Sequence, residues 1–363
     1  MSCTLCRLPF TPAPRSVAPD SRPPEGVMTA KQNQYFMKAV GIGSKVPFTM
    51  CNCEYVDQNL FGSMLMFMTP LTIAWKTKEG TMMMFHTACV NILRHIFDCT
   101  ADTMEALYDL CEIDKVLGRT MIDVNSGRLP HVKYEEAGAE KVDLRPYYQL
   151  DDGLQRFDWE RFKNDGYDWA YTRPDTFPRF HQTVSPSRVP APAPAETKDA
   201  LTTMPLDILH ALLPYLTDKS FVSLLSTCRT FRHHALTTYQ HQARERVRTL
   251  GWAIPLRKEY ASAPQATRDA GIMINPDDIP SEGDWMLYLC NAHKSKSMRA
   301  RRWIWATAEE LRRTFLEHKA GGPYDAIIAG DGPDAPCLKS PARVELEKEI
   351  SRNPMNMMCP PRW

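Results

Sequence analysis

Residues 204–216 read Met-Pro-Leu-Asp-Ile-Leu-His-Ala-Leu-Leu-Pro-Tyr-Leu, and residues 224–231 continue Leu-Leu-Ser-Thr-Cys-Arg-Thr-Phe. The spacing predicts three short helices. Ile208, Leu209, Leu212, Leu213 and Leu216 follow the i, i+1, i+4, i+5, i+8 rhythm of one helix face. Pro205 falls in the first turn, where the missing N–H would be unpaired anyway, and Pro214 weakens the helix one turn before its end. Asp218 is expected to cap a second helix carrying Phe221, Leu224 and Leu225. Ser226 or Thr227 is expected to cap a third, with Cys228, Phe231, Ala235 and Tyr239 on one side. So short a stretch cannot bury all three apolar faces by itself, and an apolar patch left open marks a partner site. The same periodicity would also serve an ordinary helical hairpin inside a larger core.

The order Pro205, Asp207, Ile208-Leu209, Leu212, Tyr215-Leu216, Leu224, Cys228-Arg229 and Phe231 resembles an F-box. The family pattern usually begins Leu-Pro; Met204-Pro205 keeps an apolar side chain there. The resemblance implies docking to the Skp-type adaptor of a cullin–RING ubiquitin ligase. Pro205, Ile208, Leu209 and Leu212 would enter the adaptor's groove, with Leu216, Leu224 and Leu225 behind them and Met204 also counted among the partner-binding residues. Apolar anchors of this kind are the usual energetic centre of an interface.

Composition bounds the remaining classes. At 363 residues the chain has room for two or three domains, and 43% hydrophobic content is ample for packed cores. The net charge of +1 provides no global field for nucleic acid or an anionic membrane. Eleven cysteines, an odd number on so long a chain, fit a reducing compartment with free or metal-bound thiols rather than a disulfide scaffold. Residues 1–19 hold no secretory apolar stretch. The most apolar run, Met64 to Trp75, is broken at Thr69-Pro70 and too short to span a bilayer. These readings predict an intracellular protein of cytosol or nucleus.

Along the chain, residues 1–183 read as a mixed α/β region, with strands expected around Met64–Met68 and Met82–Phe85 and helices over Cys89–Phe97 and Met104–Cys111. Residues 184–199, rich in Pro and Ala, read as an extended, semi-rigid spacer. The three-helix segment occupies 200–240, and its last helix is expected to continue through the basic run Gln240–Arg248. Residues 241–320 read as a mainly helical, Trp-rich extension, with helices at Asp284–Leu289 and Arg301–Leu316; Trp303, Ile304, Leu311 and Phe315 form the inner face of the latter. Residues 321–363 read as an irregular tail. The fold class expected is α+β, and no repeat period appears.

A second signal opens the chain. Cys3-Thr4-Leu5-Cys6 is a Cys-x-x-Cys pair and His86-Thr87-Ala88-Cys89 a His-x-x-Cys pair. Two such knuckles supply the four ligands of a tetrahedral structural zinc, but their long separation leaves convergence to the fold. Many fungal F-box proteins are similar to this chain: an opening Cys-x-x-Cys, an α/β region with a His-x-x-Cys pair, then the F-box, followed by pieces like Gly251-Trp252-Ala253-Ile254-Pro255 and Arg301-Arg302-Trp303-Ile304-Trp305. Zinc at Cys3, Cys6, His86 and Cys89 is what that resemblance implies. Arg7 departs from it, since a glycine commonly follows the second cysteine. Cys51-Asn52-Cys53 is an alternative pair with a tighter spacer.

Other clusters read more plainly. Lys294, Lys296, Arg299, Arg301 and Arg302 near Trp303 and Trp305 are read as a solvated helix face over buried tryptophans rather than a phosphate site. His233-His234 is read as surface or partly packed. No Gly-x-Ser-x-Gly, Walker-type or His-Glu-x-x-His pattern occurs. The expectation is a non-enzymatic F-box receptor that recruits an unknown target protein to a ligase, needs no cofactor for chemistry, and holds zinc only structurally. The alternative is a zinc-dependent nucleic-acid or chromatin module.

Overall fold

The computed structural model describes residues 2–10, 23–36, 38–43, 51–54, 82–99, 113, 117, 129, 131–151, 154–191 and 203–320. They are largely helical, with little strand. The strands expected near Met64, the helix expected over Met104–Cys111 and the tail 321–363 lie outside the described residues. Two compact units divide the chain: Met1–Arg173 with Trp303–Trp363, and Pro174–Arg302.

In the first unit, Ser2 and Pro9 close an antiparallel bridge around the Cys-x-x-Cys turn. Helix α1 (Ala30–Phe36) precedes strands β1 (Lys38–Gly43), β2 (Cys51–Glu54) and β3 (Met82–His86). These form an antiparallel sheet in the order β2-β1-β3, with Ala39 opposite His86. Strand β3 runs directly into helix α2 (Thr87–Ile96), whose Ala88, Cys89, Val90, Ile92 and Leu93 are buried. Strands β4 (Tyr148–Asp151) and β5 (Leu154–Phe157) make a hairpin with Tyr148 opposite Phe157. Helix α3 (Trp159–Phe162) follows, capped by the Asp158 carboxylate accepting from the Arg161 amide at 3.0 Å. Its core is aromatic: Phe157 meets Trp159 edge-on at 4.6 Å, and Tyr147 meets Phe162 at 5.0 Å.

In the second unit lie α4 (Leu206–Leu212), α5 (Asp218–Ser226), α6 (Arg229–Thr237), α7 (Gln240–Thr249), α8 (Arg257–Ser262), α9 (Gln265–Asp269) and α10 (Trp285–Lys294). The last helix, α11 (Lys296–Ala320), begins here, and its residues from Trp303 onward belong to the first unit. There Trp303, Ile304, Leu311 and Phe315 are buried, as their spacing predicts.

Several local expectations shift by a residue or two. Pro205 is the residue before α4, and its carbonyl accepts from the Ile208 amide at 3.0 Å. Thr217, rather than Asp218, caps α5, its hydroxyl accepting from the Ser220 amide at 3.2 Å. Cys228 caps α6 through its sulfur, 3.4 Å from the Phe231 amide. Helix α6 does not continue through the basic run. The amides of Thr238 and Tyr239 both turn back to the His234 carbonyl, at 2.7 and 2.8 Å, closing α6 before α7 starts. The described part of the Pro/Ala spacer is held in place: Pro186–Arg188 form a 3-10 turn, Arg188 pairs with the buried Asp284, and the Pro190 carbonyl lies 2.9 Å from His233 Nδ1.

Candidate functional site

Cys3, Cys6, His86 and Cys89 come together in the first unit, all buried, with their ligand atoms within 4.8 Å of one another. Local structure explains the meeting. The bridge at Ser2 and Pro9 folds the first pair into a turn, with the Cys3 amide bonded to the Leu8 carbonyl at 3.0 Å and the Arg7 amide to the Cys3 carbonyl at 2.8 Å. His86 ends β3 and Cys89 lies in the first turn of α2, so the strand-to-helix junction presents both to one point. His86 Nδ1 is 3.3 Å from Cys6 Sγ, and the His86 amide is 3.4 Å from Cys3 Sγ. The rings of Phe10 and Phe36 flank the imidazole at 4.5 and 4.8 Å.

Burial pushes the Cys6 and Cys89 thiols well up, and the hydrogen bonds they share with Cys3 push the same way. Burial acts on Cys3 too, but hydrogen bonds from Cys6 and Cys89 and the neighbouring His86 overcome it and hold Cys3 well below the usual thiol range. The three thiols and the imidazole are all buried, and burial disfavours each further thiolate that lacks a neutralising charge. The group could hold a metal ion.

Arg7 adopts φ = 60°, the left-handed conformation a glycine would take without penalty. For a side-chain-bearing residue it costs about 1–2 kcal/mol. Its guanidinium, buried, pairs with Glu135 at 3.2 Å and lies over the Tyr134 ring at 5.2 Å. Tyr134 donates its hydroxyl to the Thr4 carbonyl at 2.8 Å. The Tyr148 hydroxyl reaches both the Arg7 carbonyl and, at 2.6 Å, Ser2 Oγ. Tyr134, Glu135 and Tyr148 carried no sequence signal, because nothing in their spacing relates them to residues 2–10.

The 204–231 segment divides by burial. Leu209 and Leu225 are enclosed by the chain's own second unit, at 4% and 2% exposure. Met204, Leu216 and Leu224 are partly covered, and Pro205 is exposed. Ile208 at 49%, Leu212 at 46% and Tyr215 at 88% stand open. Among the described residues only Leu316 joins them as an exposed large hydrophobic. Tyr215 is absent from the sequence-derived anchors. The turn bearing it is tied down by Arg246, which donates to the Leu216 carbonyl at 2.8 Å, to the Leu213 carbonyl, and to the Asp218 carboxylate at 2.6 Å.

The remaining candidates fall elsewhere. Cys51 and Cys53 sit on β2 opposite Gly41 and Ala39, with their side chains outside the described residues. Arg301, read as part of a solvated basic face, is instead fully buried, forked onto Glu259 at 2.7 and 2.9 Å and bonded to the Trp252 carbonyl at 2.8 Å. A guanidinium so deep needs that carboxylate. His233 and His234 are half-buried.

Fold and site together define a largely helical protein with a buried, metal-competent Cys/His cluster. No helix is long and apolar enough to cross a membrane among the described residues. Comparison with protein-family models, with curated proteins and with solved structures found no match to this chain.

Proposed function

We propose that this chain is an F-box-type receptor that docks a Skp-type adaptor of a cullin–RING ubiquitin ligase and brings a target protein to it. The observation that carries the reading is the clustering of open apolar side chains. Ile208, Leu212 and Tyr215 lie within eight residues, on the very segment whose order of residues resembles an F-box. Ile208 and Leu212, one turn apart on α4, with Tyr215 in the 3-10 turn that follows and Pro205 just before the helix, suit insertion of this end of the segment into a partner's groove. In this reading Pro205, Ile208 and Leu212 touch the adaptor, Met204, Leu216 and Leu224 border it, and Leu209 and Leu225 support the face from within. The chain works by tethering, raising the effective concentration of the target's lysines at the ligase's catalytic module.

The Cys3/Cys6/His86/Cys89 group is read as a structural zinc centre. A tetrahedral zinc with Zn–S of about 2.3 Å separates its ligand atoms by roughly 3.5–3.8 Å, within the spread found here. Three thiolates and one imidazole complete the shell with no position for substrate, and thiolates disfavour magnesium or calcium. The zinc organises the fold of the first unit and takes no part in bond making.

The test is co-purification of the full chain with a Skp-type adaptor, comparing wild type with an Ile208→Ser, Leu212→Ser double variant. The reading predicts loss of the adaptor with an unchanged thermal transition. Undiminished adaptor recovery by the variant would overturn it.

A further inference from the structure

We propose that Arg7 and Tyr148 are positioning residues of the metal centre, and that through them metal occupancy orders the tract 131–151. This rests on the zinc reading above. The turn that aims Cys3 and Cys6 needs a left-handed residue at position 7, and the chain places an arginine there at φ = 60°. Such a conformation persists only where surroundings over-determine it, and the surroundings come from one tract. Glu135 holds the Arg7 guanidinium at 3.2 Å, with Tyr134 beneath it. The Tyr148 hydroxyl ties the Arg7 carbonyl to Ser2 Oγ, one contact on each side of the cysteine pair. Tyr134 reaches the Thr4 carbonyl between the two cysteines at 2.8 Å. An arginine here exchanges glycine's easy backbone for a side chain that links the ligand loop to a remote segment.

The coupling is reciprocal. If the tract holds the loop in ligating geometry, ligation holds the tract. Outer-shell partners of metal ligands typically carry about 10–100-fold in metal affinity.

The experiment uses the full chain loaded with zinc. Metal content is measured after gel filtration, and affinity by competition with a chromophoric chelator, for wild type, Glu135→Gln, Tyr148→Phe and Arg7→Gly. Both near-isosteric variants are expected to bind one zinc at saturation with affinity lowered about 10-fold or more. Arg7→Gly is also expected to bind more weakly, although glycine relieves the backbone. Hydrogen exchange, with and without chelator, should show residues 2–10 and 131–151 losing protection together while 203–302 keep theirs. Wild type that takes up no zinc overturns the metal reading itself. Stoichiometric zinc with unchanged affinity in Glu135→Gln and Tyr148→Phe, or with protection of 131–151 indifferent to chelator, overturns the coupling alone.

Discussion

The Arg246 guanidinium sits 2.6 Å from the Asp218 carboxylate, and its other terminal nitrogen caps the carbonyls of Leu213 and Leu216. One side chain from α7 thereby fixes the turn between α4 and α5, the turn that displays Tyr215. It also lies over the Phe221 ring at 4.3 Å. The turn after α4 is thus built into the second unit by a helix that follows it. On the other side of Asp218, His293 Nε2 approaches the carboxylate at 3.3 Å.

Arg246→Ala is therefore expected to lower the stability of the second unit by about 2 kcal/mol, since a partly buried carboxylate and two carbonyls lose their donor. Chemical denaturation of wild type and variant measures it.

Acid should act through the same carboxylate. The hydrogen bond from His293 and the charge and hydrogen bonds of Arg246, against an opposing effect of burial, hold the Asp218 carboxyl below the usual carboxylate range. The folded state then binds fewer protons than the unfolded one. The pair's stabilisation is present in full above the unfolded value of about 3.9 and is lost as pH falls through the lower folded value. Asp218→Asn, compared with wild type in urea titrations from pH 6 to pH 3, should flatten that acid limb. An identical limb in the variant would remove Asp218 from the explanation.

Burial separates two kinds of leucine four residues or fewer apart. Leu209→Ala should cost about 2–5 kcal/mol, as buried leucines do. Leu212→Ala, on an open side chain, should stay within about 0.5 kcal/mol. Paired thermal melts decide the matter, and equal losses would mean that Leu212 is covered in solution.

If the Cys/His group holds zinc, as proposed, its metal affinity should be strongly pH-dependent. Burial, and behind it the hydrogen bonds to Cys3, push the Cys6 and Cys89 thiols well up, so the proposed zinc would have to displace their protons, about two in all. Affinity should fall by up to about a hundredfold per pH unit between pH 8 and pH 6. Competition titrations at several pH values, with Cys89→Ser as the ligand-deficient control, provide the slope.

Glu259→Ala should destabilise the second unit by about 3–5 kcal/mol, because it strands the Arg301 guanidinium, fully buried between Glu259, the Trp252 carbonyl and the Phe177 ring. Calorimetry of the variant checks this.

How much of this was legible depended on where the information lay. Periodicity within one element was readable for the inner face of α11 and for the strand that begins at Met82, whereas the rhythm from Ile208 to Leu216 is not one helix face: α4 ends at Leu212, Leu213–Tyr215 form a 3-10 turn, and Leu209 and Leu213 are buried while Ile208 and Leu212 are open. The Cys-x-x-Cys and His-x-x-Cys pairs were readable as spacings, and so was the departure from glycine at position 7, where the backbone is left-handed. Contacts between distant segments were not. Nothing in the sequence couples Arg7 to Glu135 or Tyr148, and Arg301 looked like one more cation in a basic run until a carboxylate from α8 was placed opposite it. Burial at neighbouring positions was equally hidden, because Ile208 and Leu209 carry the same hydrophobic signal, yet one is 49% exposed and the other 4%.

The central claim is that the open face of α4 docks an adaptor. Its most direct test is calorimetric titration of the purified full chain with a purified Skp-type adaptor. The account predicts saturable one-to-one binding that Ile208→Ser with Leu212→Ser abolishes, while Leu316→Ser, at the exposed hydrophobic on α11, leaves it unchanged. No heat of binding for wild type, or equal binding by the Ile208/Leu212 variant, would contradict it.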